Sequence, residues 1–236
     1  MARKILVVED EKDIRELLQV TLQAAGYETF KAANGDEALR MIKAESPDLV
    51  VLDILMPGMS GFQVLRQLRE TSDIPVIMLS ARTDIVDKIE SFELGADDYV
   101  TKPFRLIELT ARVAAVLRRT ETKTHNIGKS TFNDGRLVID FTEHQVFVDG
   151  KDAELTRKEY ALLQEFVLNA GALLEYQRLL RDVWGAGYKN EKKLVQAVVR
   201  RLRCKIEADL ENPQYIIAIE GVGYRFKQIP KELKEF

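Results

Sequence analysis

The stretch Asp48-Leu49-Val50-Val51-Leu52-Asp53-Ile54-Leu55-Met56-Pro57-Gly58 decides the fold of the first half of the chain. Its apolar run suits a strand buried on both faces, and the Pro-Gly break suits a loop beyond the strand's carboxyl end. Outward from it, other apolar runs end in a similar way. Ile5-Leu6-Val7-Val8 leads into Glu9 and Asp10, Val76-Ile77-Met78-Leu79 into Ser80, and Tyr99-Val100-Thr101 into Lys102. Ligands of open parallel sheets gather outside the carboxyl ends of the strands. Three acids, a hydroxyl and an ammonium at such ends suit a Mg²⁺ and phosphoryl site.

Candidate strands at 4–8, 26–30, 48–53, 75–80 and 97–101 alternate with candidate helices at 12–25, 35–45, 60–70, 84–94 and 104–119. Repeated βα units of this kind predict a doubly wound, five-stranded parallel α/β sheet over 1–119, with helices on both faces and right-handed crossovers. Residues 120–130 are polar, without apolar period, and read as a linker. Alternation returns at Leu137-Val138-Ile139-Asp140-Phe141 and at Gln145-Val146-Phe147-Val148, which runs into the turn signal Asp149-Gly150. Thr156-Arg157-Lys158-Glu159 has the form of a helix-starting capping box. Helices are expected at about 156–169, 175–184 and 191–208, then a hairpin from Tyr215-Ile216-Ile217-Ala218-Ile219 to Tyr224-Arg225-Phe226. The second domain is thus α+β over 131–228, with 229–236 as a tail.

A chain of 236 residues fits two domains of ordinary size, and 46% hydrophobic with 31% charged content fits a soluble globular protein. No apolar run reaches the roughly 18 residues of a membrane span, and no signal peptide precedes Met1-Ala2-Arg3-Lys4. The lone Cys204 excludes an intramolecular disulfide and fits a reducing cytosol, so a cytoplasmic protein is expected. Two histidines and one cysteine argue against structural zinc. Net charge is −3, but the halves differ: residues 1–120 carry 16 Lys and Arg against 20 Asp and Glu, the remainder 19 against 18. Lys189, Lys192, Lys193, Arg200, Arg201, Arg203 and Lys205 lie close together with only Glu191 opposing, which points to a polyanionic partner.

The chemistry of the first site follows from residue type. Mg²⁺ prefers carboxylate and carbonyl oxygens, which Glu9, Asp10 and Asp53 can supply. Crowded like charges favour a bound cation and offer Asp53 as a nucleophile, while Lys102 would neutralise phosphoryl oxygens and Ser80 donate to one. At Glu9-Asp10, Asp53 with Met56-Pro57-Gly58, Ser80-Ala81, Gly95-Ala96-Asp97-Asp98-Tyr99 and Lys102-Pro103-Phe104, residues 1–119 resemble the receiver domain of two-component response regulators, a flavodoxin-like fold. The resemblance implies that Asp53 accepts phosphate from a sensor histidine kinase, and that Mg²⁺ or Mn²⁺ binds Glu9, Asp10, Asp53 and the Leu55 carbonyl. It also implies a switch through Ser80 and Tyr99. Phosphatases of the haloacid-dehalogenase type also form aspartyl-phosphate, but they carry a second aspartate where this chain has Leu55. The chain is therefore not expected to be an enzyme.

The second domain resembles the winged-helix effector of the OmpR/PhoB subfamily, at Leu155-Thr156-Arg157-Lys158-Glu159-Tyr160, Val183-Trp184-Gly185, Arg200-Arg201-Leu202-Arg203, Lys205-Ile206-Glu207 and Gly221-Val222-Gly223-Tyr224-Arg225-Phe226. On helix 191–208, Val195, Val199, Leu202 and Ile206 form one apolar stripe. Lys192, Lys193, Gln196, Ala197, Arg200, Arg201, Arg203 and, from the wing, Arg225 are the candidate contacts to double-stranded DNA. Arg can be bidentate to guanine and Gln to adenine. Two features depart from the subfamily pattern. Gln196-Ala197-Val198 replaces an acid–apolar–His stretch, and Glu220 stands where a base often precedes the wing glycine. The subfamily also implies a homodimer on phosphorylation, with RNA polymerase as a further partner. The expected dimer pairs are Lys88 with Glu108, and Asp97 or Asp98 with Arg112 or Arg119. The competing reading is a DNA-binding regulator whose receiver pairs without phosphate.

Overall fold

The computed structural model describes residues 2–81, 85–121 and 131–228. The chain divides into two compact units at residues 123–124. The first unit alternates β1 (Lys4–Val8), α1 (Lys12–Ala24), β2 (Glu28–Ala32), α2 (Gly35–Glu45) and β3 (Leu49–Asp53) with α3 (Gly61–Arg69), β4 (Val76–Ser80), α4 (Ile85–Glu93), β5 (Asp98–Thr101) and α5 (Leu106–Glu121). The five strands are parallel in the order β2-β1-β3-β4-β5. Every residue of β3 and β4 is buried, which is why these strands read as unbroken apolar runs rather than alternations. On one face Ile5, Val7, Leu49, Val51, Ile77 and Leu79 pack with Leu18 and Leu22 of α1 and Leu109, Val113 and Val116 of α5. Each such side chain contributes about 1.5–3 kcal/mol through burial.

Strand β2 starts at Glu28 rather than near residue 26. Gly26, at φ +90°, turns the chain out of α1, and the Tyr27 N–H still bonds to the Leu22 carbonyl, so both residues belong to the turn. Because β1 lies between β2 and β3, the strand order reverses beside β1 and opens a crevice at the carboxyl ends of β1 and β3. Those ends carry Glu9, Asp10 and Asp53.

The second unit opens with an antiparallel sheet of β6 (Thr131–Asn133), β7 (Leu137–Asp140), β8 (Gln145–Val148) and β9 (Lys151–Asp152). Asp149 and Gly150, both at positive φ (51° and 77°), make the two-residue turn between β8 and β9. Then come α6 (Arg157–Leu168), β10 (Leu173–Glu175), and α7 (Tyr176–Leu179), which continues through a π-helical turn over Leu180–Trp184. Last are α8 (Lys192–Ile206), β11 (Ile216–Ile219) and β12 (Gly223–Phe226), with β10 joining the hairpin in the order β10-β12-β11. The capping box forms as anticipated: Thr156 Oγ1 accepts from the Glu159 N–H, and Glu159 accepts from the Thr156 N–H at 2.9 Å. Strands β6, β9 and β10, of two or three residues each, were not anticipated. The core holds Phe132, Phe166, Trp184, Leu202 and Phe226. Most of the expected linker and all of the expected tail lie outside the described residues. No helix among the described residues is long and apolar enough to cross a membrane.

Candidate functional site

Three carboxylates meet at the crevice. The Glu9 N–H bonds to the Ala32 carbonyl at 3.1 Å, which holds the end of β1 in register. The Arg15 guanidinium donates to the carbonyls of Glu9 and Asp10 and ties down the loop into α1. Helix α1 is capped at Glu11 without a side-chain bond, so Asp10 is not used as its cap. Asp53 ends β3, and the loop after it is pinned on both sides of Leu55: the Ile54 N–H bonds to the Leu79 carbonyl, and the Gly61 N–H to that of Ile54. Carboxylate oxygens of Glu9, Asp10 and Asp53 lie within 4.8 Å of one another.

Lys102 completes the group, its ammonium 2.7 Å from Glu9 Oε2 and 2.9 Å from Asp53 Oδ2. The Lys102 N–H bonds to the Ser80 carbonyl at 2.6 Å, and the Lys102–Pro103 peptide is cis. Burial works against the ammonium, yet its hydrogen bonds to Glu9 and Asp53 hold its pKa above the ordinary lysine value. Burial also pushes Glu9 up to about 7; Lys102 opposes this and the charges of Asp53 and Asp10 add to it. Three acids against one ammonium leave a formal charge of −2. Glu9 Oε1 and Asp53 Oδ1 are buried without a hydrogen-bond donor among the described residues. A small oxygen-seeking dication suits both facts, because it balances the charge and engages the orphaned oxygens.

Ser80 is fully buried at the end of β4, one residue past Leu79, the register partner of Asp53. Tyr99 is buried on β5 with the Lys88 ammonium 5.6 Å from its ring centroid. Leu55 is 45% exposed in the loop. Two residues absent from the sequence reading help to shape the site. One is Arg15; the other is Gly61, where a Cβ would overlap the Asp53 carbonyl oxygen.

Several residues of the expected dimer pairs are engaged within their own chain. Asp97 is only 8% exposed and accepts from the Val76 N–H at 3.0 Å and from Arg69 at 3.4 Å, so it braces its own receiver. Asp98, 1% exposed, pairs with Arg112 of the same chain at 3.1 Å, and Arg112 also meets Glu108 one turn earlier at 3.0 Å. These contacts form within one chain because β5 lies beside α5. The side chain of Arg119 lies outside the described residues.

On α8, Leu194, Val195, Val198, Val199, Leu202 and Ile206 are buried, a wider stripe than expected. Lys192, Lys193, Gln196 and Arg200 are exposed and Ala197 half-buried. Two expected DNA contacts, Arg201 and Arg203, turn inward instead. Arg201 and its neighbour Lys205 pair with the buried Glu159 at 3.2 and 2.7 Å, and the Arg203 guanidinium donates to the Ile216 carbonyl. The cationic cluster is therefore opposed by Glu159 as well as Glu191, which its linear sequence hides. The side chains of Lys193, Arg200 and the exposed wing residue Arg225 make no ion pair or hydrogen bond among the described residues.

Residues 5–114 match the family of response regulator receiver domains, and residues 150–226 the family described as transcriptional regulatory protein, C terminal. A probable transcriptional regulator, ycf27, of Porphyridium aerugineum is 42% identical over 96% of this chain and 96% of its own length. Its namesake from Cyanophora paradoxa is also 42% identical, over 95% and 96%. Among solved structures, DrrB, an OmpR/PhoB homologue of Thermotoga maritima, is 36% identical with a TM-score of 0.51, over 96% of this chain and all of that one. A mutant of RitR is 26% identical with a TM-score of 0.74, over 97% and 100%. With a receiver match ahead of a transcriptional-regulator match, and relatives alike over nearly their whole length, the chain belongs to the OmpR/PhoB type of response regulator.

Proposed function

We propose that this two-component transcription regulator is switched by transfer of a phosphoryl group from a sensor histidine kinase to Asp53. The observation that carries the proposal is the Lys102 ammonium bridging Glu9 and Asp53, while the remaining oxygen of each acid is buried without a donor among the described residues. Glu9, Asp10, Asp53 and the Leu55 carbonyl would hold a Mg²⁺ or Mn²⁺ ion, which when bound draws charge from the phosphoryl oxygens. Asp53 attacks phosphorus in line; the bond from phosphorus to the donor's imidazole nitrogen breaks, and that nitrogen keeps the electron pair and takes up a proton. Lys102 then neutralises an oxygen of the new acyl phosphate, Ser80 donates its hydroxyl, and Tyr99 passes the change to α4 and α5. The phosphorylated receivers pair. Pairing raises the effective concentration of two winged helices on tandem DNA half-sites, and so gains affinity without new base contacts. In this scheme Lys192, Lys193, Gln196, Ala197, Arg200 and Arg225 meet the duplex, and RNA polymerase receives the output.

Incubation with acetyl phosphate and Mg²⁺, followed by intact mass and a sizing column, tests the reading. One added phosphoryl mass and a shift to dimer are expected, both abolished in Asp53→Asn. An unmodified wild-type chain, or equal labelling of Asp53→Asn, sinks it. Dimer without added mass would instead favour phosphate-independent pairing.

A further inference from the structure

Tyr176 opens α7, is 8% exposed, and touches two exposed residues one turn apart on α8. Its hydroxyl accepts from the Gln196 side-chain amide at 3.4 Å, and the Lys192 ammonium lies 5.6 Å from its ring centroid. Behind it the ring meets Tyr224 of β12 edge to face at 5.6 Å. The Arg203 guanidinium, anchored on the Ile216 carbonyl, lies 5.7 Å from the Tyr224 ring centroid. One aromatic pair thus joins the first helix of the helix-turn-helix, the wing strand and the amino-terminal half of α8. A free glutamine on a helix surface samples many rotamers, and ordering it on binding costs free energy. A glutamine already held by a buried hydroxyl avoids part of that cost and presents its amide in one orientation.

We infer that Tyr176 is a positioning residue for sequence readout, holding Gln196 ready to hydrogen-bond a base edge in the major groove. The inference rests on α8 being the reading helix, and it assigns Tyr176 no contact with bases of its own. Gln196 therefore supplies discrimination, whereas Lys193 and Arg200 supply affinity that is less dependent on sequence.

The test is selection from a pool of random duplexes by the full-length chain treated with acetyl phosphate and Mg²⁺. It is read as base preference at each selected position, with affinity for one fixed non-specific duplex as a second readout. Tyr176→Phe keeps the ring and removes the hydroxyl. It should flatten preference at the base pair that Gln196→Ala also flattens, by about fivefold or more, with non-specific affinity unchanged. The double variant should lose no more than Gln196→Ala alone. Unaltered preference in Tyr176→Phe, or losses that add in the double variant, would overturn the inference. So would equal flattening by Tyr224→Phe, because that variant strips only the other hydroxyl of the ring pair and reports on packing. If instead Gln196→Ala and Arg200→Ala both select and bind as wild type does, the α8 reading itself fails, and the inference with it.

Discussion

At Gly61 a methyl group would overlap the Asp53 carbonyl oxygen and press on the Ile54 Cα at 2.9 Å. Relief requires the loop after β3 to move, and Asp53 moves with it. Gly61→Ala should therefore cost about 1–3 kcal/mol in overpacking. It should also slow phosphoryl uptake from acetyl phosphate by up to about a hundredfold, the scale of effect expected from a misplaced reacting group. Urea unfolding and the time course of mass gain measure the two separately; wild-type uptake in Gly61→Ala would show that the loop absorbs the methyl elsewhere. Asp53 was legible because an acid ending a buried apolar run is conspicuous in one dimension. Gly61 was not: its neighbour Ser60 explains it as the start of a capped helix, and the close approach to Asp53 exists only once β3 and α3 are folded. Asp97, at the start of the candidate strand 97–101, reads as a surface charge for the related reason that Arg69 and the Val76 N–H come around it only in the fold.

At the scale of one element, α8 carries two kinds of cation. Its apolar stripe was visible as a period in the sequence, since burial follows from helix geometry alone. The fate of each cation off that stripe depends on what neighbouring elements offer. Helix α6 presents buried Glu159, which takes Arg201 and Lys205, and β11 presents the Ile216 carbonyl, which takes Arg203. Single-sequence reading cannot divide them, because the capping role of Glu159 gave no hint that its carboxylate also faces α8. The division has a measurable consequence. Each phosphate contact adds about 0.9 to the slope of log affinity against log salt. Lys193→Ala and Arg200→Ala should each lower the slope magnitude by about that much with little change in stability. Arg201→Ala should leave the slope as it is and destabilise the second unit by about 1 kcal/mol, since its partner is buried but Arg201 itself is 37% exposed. A slope lost equally in Arg201→Ala would place that guanidinium on the duplex.

For the whole molecule, the division into two units makes unfolding a two-part event, and the one tryptophan isolates one part. Trp184 is 1% exposed in the second unit, so its fluorescence follows that core alone, whereas far-ultraviolet circular dichroism follows both. That unit is closed by Asp134, in the turn between β6 and β7, which accepts from Lys227 beyond β12, from the Tyr215 hydroxyl and from the N–H groups of Arg136 and Leu137. Burial alone would raise the Asp134 pKa, but the hydrogen bonds from Lys227, Leu137 and Arg136 outweigh it and hold the carboxyl below the usual aspartate range. A folded-state pKa below the unfolded value of about 3.9 means that the unfolded chain binds the proton more readily in acid. The stability from this group is therefore full above about pH 5 and is lost as pH falls through the folded value. Urea titrations read by Trp184 fluorescence should show the second unit weakening from pH 5 to pH 3. Asp134→Asn should be less stable at pH 7 and weaken less over the same interval. Equal pH slopes for wild type and Asp134→Asn would mean that another carboxylate governs acid unfolding of this unit. Asp48, held low by the Lys4 N–H and Arg3 despite its own burial, belongs to the first unit, whose response should appear in circular dichroism and not in the Trp184 signal.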